Sequence, residues 1–148
     1  MCRSPIREIA TIHGAAFAAT DYVLQPGANA LAGRKGELFD LRLVIDVPRS
    51  RADLVIVTIH GNRVEYDFRQ HRLRSHGSEA PLAPHEGEIE VRVLADRLSL
   101  ETFGNRGEVS ITNVARQDPD APALELQVIG GEAVLKSLEV WELRSIWN

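Results

Sequence analysis

The sequence predicts an all-β protein, a sandwich of two antiparallel sheets of the jelly-roll or lectin-like kind. Three observations carry that prediction. Apolar residues recur at every second position through most of the chain, which is the strand period. The runs are short, about ten residues apart, and separated by Gly, Asn, Asp and Pro. One run is apolar on both faces, as in a strand covered on both sides. No stretch has a convincing helical period, and Gly27, Gly33 and Gly36 break the one candidate, GANALAGRKG.

Taken in order, GELFDLRLVIDV is the first strong strand. Phe39, Leu41, Leu43, Ile45 and Val47 alternate with Asp40, Arg42 and Asp46, so one face is buried and the other mostly wet. DLVIVTIH is the run that is apolar on both faces. Gly61-Asn62 is a turn signal. VEYDF then places Val64, Tyr66 and Phe68 on one side and Glu65 and Asp67 on the other. EIEVRVL buries Ile89, Val91 and Val93. In LSLETF the apolar residues Leu98 and Leu100 have moved to even positions, which requires a turn or bulge near Asp96-Arg97. Asn105-Arg106-Gly107 reads as a hairpin loop before GEVSIT. A polar loop, ARQDPDAP, follows. ALELQVIGGEAVLKSLEVWEL supplies two more strands joined near Gly130-Gly131.

Composition narrows the function. At 148 residues the chain is about one domain, long enough to stand without a disulfide or metal. Its single cysteine, Cys2, forms no internal disulfide. A net charge of −4 and a pI near 5.7 argue against nucleic acid as a partner. No apolar run approaches the ~20 residues that span a bilayer, so no membrane partner is expected. The N-terminus lacks the apolar region of a signal peptide, and no N-x-S/T acceptor gives a clue to compartment.

The sequence carries little recognisable catalytic chemistry. There is no GxSxG elbow and no phosphate-cradling glycine loop, and His85-Glu86 does not continue into HExxH. The five histidines (13, 60, 71, 76 and 85) are scattered without the spacing of zinc ligands. No metal and no cofactor are expected. Asp96 and Glu101 are the one carboxylate pair that a glycosidase argument would use, since such pairs stand ~5–9.5 Å apart. They lie on or beside a hairpin, and the chain is only 5% aromatic, so autonomous glycosidase activity is not expected.

The segment IEVRVLADRLSLETFGNRGEVSIT resembles the signature of the C-terminal β-sandwich of glycoside hydrolase family 32, the levanases, inulinases, invertases and other β-fructosidases. The matching residues are Asp96, Arg97, Ser99, Glu101 and Phe103, followed by Asn105 and Gly107. PIREI (5–9) is similar to the linker that leaves the catalytic propeller, GELFDLRL to the first long strand, and IHGNRVEYDF to the next hairpin. LKSLEVWELRSIW is similar to the closing strand. The family's catalytic motifs are missing. Gln117-Asp118-Pro119 lacks the arginine of Arg-Asp-Pro, and Cys2 has no preceding glutamate.

The resemblance implies a linker-like segment, 1–12, and one sandwich domain, 13–148. It implies a partner, the family-32 catalytic propeller, and a role in supporting it. The alternative is a free-standing carbohydrate-binding module for the terminal fructose of levan or another fructan. Under that alternative the candidate sugar-binding residues are Asp96, Arg97 and Glu101, with Asp67 and Tyr66 behind them. Carboxylates accept sugar hydroxyls and a guanidinium donates to sugar oxygens. The competing reading leaves Asp96 and Arg97 paired across the turn, Glu101 answering a neighbouring arginine, and Tyr66 in the core. Without its propeller the sandwich is expected to expose an apolar patch and to form a homodimer.

Overall fold

The computed structural model describes residues 13–31, 38–75, 77–96, 99–115 and 120–143. These residues form eleven strands and no helix. In chain order they are β1 (His13–Leu24), β2 (Leu38–Asp46), β3 (Leu54–Ile59), β4 (Asn62–Asp67), β5 (Arg72–Ser75) and β6 (Ser78–Pro81). After them come β7 (Glu88–Ala95), β8 (Ser99–Gly104), β9 (Val109–Val114), β10 (Leu124–Ile129) and β11 (Ala133–Leu143).

Six strands make one sheet in the order β1-β11-β2-β7-β8-β9, and five make the other in the order β10-β3-β4-β5-β6. Every pairing is antiparallel. The two-sheet antiparallel sandwich is therefore present as the alternation requires. Phe39, Leu41, Leu43 and Ile45 of β2 and Ile89, Val91 and Val93 of β7 face inward. They meet Val55, Val57, Val64, Tyr66 and Leu73 in one core. Ile56 is buried on the other face of β3, which accounts for the run that is apolar on both sides.

The turns carry the backbone chemistry their residues allow. β3 and β4 are joined by His60 and Gly61, both left-handed (φ 49° and 86°), and the register closes on Ile59 and Asn62. Two successive left-handed residues match the twist of a tight hairpin. Asn105, Arg106 and Gly107 are all left-handed between β8 and β9. The phase change at Asp96 is a tight turn between β7 and β8, where the Asp96 amide donates to the Ser99 carbonyl at 2.9 Å.

Three strands escape the pattern reading. GELFDLRL contains the start of β2 and is not the first strand, because β1 precedes it along the sheet edge. β1 has the sequence HGAAFAATDYVL, whose alanines give weak alternation. β5 (RLRS) and β6 (SEAP) are four residues each, too short for a period to show. One detail of β2 also differs. Its outer face is not simply wet, for Asp40 is 0% exposed and Asp46 is 8% exposed.

Candidate functional site

The β7–β8 hairpin sets the geometry of the predicted trio. Leu94 faces Glu101 and Ala95 faces Leu100 in the register. Asp96 then faces Ser99, and Glu101 lies on its diagonal on the same side of the sheet. Diagonal neighbours of this kind are about 7–8 Å apart. The alternation that sends Leu100 and Thr102 into the core sends Glu101 outward, half-buried. Among the described residues none forms an ion pair with Glu101. Arg97 lies outside the described residues, as do Gln117-Asp118-Pro119 and Trp147.

The two secondary candidates sit elsewhere, on β4 in the opposite sheet. Tyr66 is 2% exposed and belongs to the core. Its hydroxyl donates to the Leu82 carbonyl at 3.0 Å and lies 2.9 Å from His71 Nδ1. Its ring stands edge-on to Phe68, and burial pushes the pKa of its phenol above the ordinary range, so the hydroxyl stays protonated. Its position and bonding are those of a packing residue whose polar atom is satisfied inside. Asp67 faces the outside but is already engaged. One oxygen accepts the Arg69 and Gln70 amides at 2.8 and 3.0 Å, and the other accepts Arg74 Nη1 at 3.0 Å. Partial burial raises the Asp67 pKa. The Gln70 amide, the Arg74 guanidinium and the Arg69 amide outweigh it and hold the carboxyl below the usual carboxylate range. Asp67 therefore closes the β4–β5 turn.

The outer face of the six-stranded sheet holds residues that the pattern reading passed over. Trp141, Asp40, Leu94 and Glu101 form one cross-strand row over β11, β2, β7 and β8. Asp40 is gripped by Arg92, whose Nε and Nη2 reach its two oxygens at 2.9 and 2.5 Å. Such a forked pair is both stronger and more directional than a single bond. Phe103 opposes Arg92 and is buried on this outer face, outside the main core. One row further along, Arg42 bridges Glu90 (2.6 Å) and Glu139 (3.2 Å). The signal for Asp40 was in the sequence, as an acid in the alternating strand β2, but nothing in one dimension pairs it with Arg92, 52 residues away.

This row lies at a particular end of the sheet. β1 starts there and β11 ends there, with His13 paired to Leu143, and β2 begins and β7 ends beside them. The expected broad apolar patch is not among the described residues. Their exposed large hydrophobics are Val23, Val114 and Ile129, one each on β1, β9 and β10. Those three are edge strands of the two sheets.

The geometry defines a class of fold, a two-sheet antiparallel sandwich with an ion-paired outer face. Comparison with known proteins gives its family. The chain belongs to the family described as "Glycosyl hydrolases family 32 C terminal", matched over residues 25–142. It is similar to the levanase of Bacillus subtilis (strain 168), with 29% identity over 168 residues. That match covers 99% of this chain and 25% of the levanase. A levanase of Bacillus sp. (strain L7) is 39% identical over 70 residues, covering 47% of this chain and 8% of that protein. Among solved structures, the exo-inulinase of Aspergillus awamori shares the fold. Its TM-score is 0.81 at 21% identity, covering 99% of this chain and 33% of that one. The chain thus spans about a quarter to a third of these two full-length relatives.

Proposed function

We propose that this chain is the non-catalytic C-terminal sandwich of an enzyme that hydrolyses fructosyl bonds in fructans or sucrose. Its work is to seat against the catalytic propeller and stabilise it. The observation that supports this reading above others is the family match over 25–142, on a chain a quarter the length of a related levanase. Residues 1–12 then serve as the linker and 13–148 as the domain. A chain arriving at His13 reaches the end of the sheet that carries Trp141, Asp40, Leu94 and Glu101. An aromatic anchor beside a gripped ion pair is the composition that interface centres favour.

The test is a chimera. This sequence replaces its matching segment in the Bacillus subtilis levanase, and thermal stability and levan hydrolysis are compared with the truncated enzyme. The expected result is a chimera that melts above the truncated enzyme and loses that gain on Trp141→Ala. A chimera no more stable than the truncation sinks the reading.

A second reading is favoured by one observation, the diagonal placement of Asp96 and Glu101 on one face. In it the hairpin, with Arg97, takes the terminal fructose of a fructan. Isothermal titration with fructose, levan and inulin tests it. Saturable heat that Asp96→Ala or Glu101→Ala abolishes supports it, and no heat from the folded protein removes it.

A further inference from the structure

A cleft of about 460 Å³ opens on the outer face of the six-stranded sheet, away from the β7–β8 hairpin. We propose that it is a binding site for a neutral polyhydroxyl ligand, an oligosaccharide segment, independent of the hairpin residues. Its size falls within the ~300–1,000 Å³ of small-molecule sites. Its walls come from separate parts of the chain. β2 gives Arg42 and Val44, β7 gives Glu88 and Glu90, the loop before β7 gives His85 and Glu86, and the β8–β9 turn gives Asn105, Arg106 and Glu108.

The walls are fixed before any ligand arrives. Asn105 is held three ways. Its side-chain oxygen accepts the Glu90 amide at 3.0 Å, its side-chain nitrogen donates to the Ala83 carbonyl at 2.8 Å, and its own amide donates to the Glu90 carbonyl at 2.8 Å. Glu90 also accepts the Arg106 amide at 3.0 Å and Arg42 Nε at 2.7 Å. On the other wall His85 and Glu88 exchange two backbone bonds of 2.9 Å, and His85 Nε2 lies 2.6 Å from Glu108. A site whose side chains are already held loses less entropy on binding.

Charge decides the ligand class. Glu88 is paired with Lys136 and Glu90 with Arg42 (which Glu139 shares from outside the cleft), while Glu108 is in hydrogen-bond contact with His85. That leaves Glu86 and Arg106, one acceptor group and one donor group, without an ion pair among the described residues. A phosphate would meet four carboxylates. A metal ion would find no described group of three ligating side chains. A nearly balanced alternation of acceptors and donors around the apolar Val44 matches hydroxyls above a C–H face, which is the surface of a sugar.

Amide NMR of the ¹⁵N-labelled chain, titrated with 1-kestose and separately with maltotriose, tests the site. The expected result is saturable shifts in residues 85–90 and 105–108 with at least one of the two, weakened about tenfold in Glu86→Gln and in Arg106→Gln. Both residues are exposed, so their thermal midpoints serve as a control for folding. Shifts with 1-kestose alone mark a fructosyl ligand, and shifts with both mark general saccharide binding. Shifts confined to 96–101 overturn the cleft in favour of the hairpin. No shifts at all overturn it as well, and in neither case is the seating on a catalytic domain touched.

Discussion

Thr102 points inward from β8, and its Oγ1 is buried without a hydrogen-bond partner. A hydroxyl in that position gives up its bonds to water and receives nothing in return, at a cost of about 1–3 kcal/mol. Valine has nearly the same shape. Thr102→Val is therefore expected to stabilise the sandwich by about 1 kcal/mol, raising Tm by roughly 2–4 °C. Calorimetry decides, and an unchanged or lower Tm means the hydroxyl is satisfied in solution. Asp40 is the opposite case, a buried carboxylate held by Arg92 at both oxygens. Asp40→Ala strands the guanidinium and is expected to cost about 3–5 kcal/mol, measured by urea unfolding. Carboxylates also set the acid limit. Arg49 draws the pKa of Asp46 below its ordinary value of 3.8 against the upward push of burial, and the turn amides with Arg74 do the same for Asp67. Both folded pKa values lie below the unfolded one, so in acid the unfolded state binds more protons. Their stabilisation is complete above about pH 4 and fades as pH falls through the lowered values. Melting temperature followed from pH 5 to 2 checks this, and Asp67→Asn is expected to flatten the curve.

At the scale of elements, turns and crossovers carry the register. β10 and β11 follow one another in the chain but lie in different sheets, and Gly130 and Gly131 make the crossing. A Cβ on Gly131 would sit 2.6 Å from the Arg51 carbonyl oxygen, at a φ of 150° that side chains rarely adopt. Gly131→Ala is expected to cost about 1–3 kcal/mol, seen as a lower Tm, because the obstacle is backbone and cannot step aside. The edge strand β9 is tied to the other sheet by Asn113, whose side-chain nitrogen donates to Ser75 O and Oγ at 3.1 and 2.9 Å. The strands with strict alternation, β2, β4 and β7, were legible because one face of each is core. β1, β5 and β6 were not legible, since alanines or four-residue lengths leave no period and their place comes from a neighbour's unpaired edge.

At the scale of the molecule, the outer faces are laid with ion pairs. On the five-stranded sheet Arg74 reaches Asp67 and Glu79, each at 3.0 Å, and Arg63 reaches Glu65 at 2.9 Å. The described exposed hydrophobics are dispersed over three edge strands. The homodimer expected of a chain without its propeller is tested by light scattering of the isolated chain at high concentration: a stable dimer supports it and a clean monomer removes it. The sequence by itself determined the sandwich, the inward set of β2, β4 and β7, the turns at 61, 105–107 and 130–131, and the family. Each of these is a local pattern, a two-residue period or a left-handed turn that few residues tolerate. Only the tertiary structure decided that Tyr66 is spent on Leu82, that Asp40 belongs to Arg92, and that Glu90 and Asn105 build one cleft wall. Those facts are pairings between distant strands, and alternation tells which way a side chain points but not which strand lies beside it.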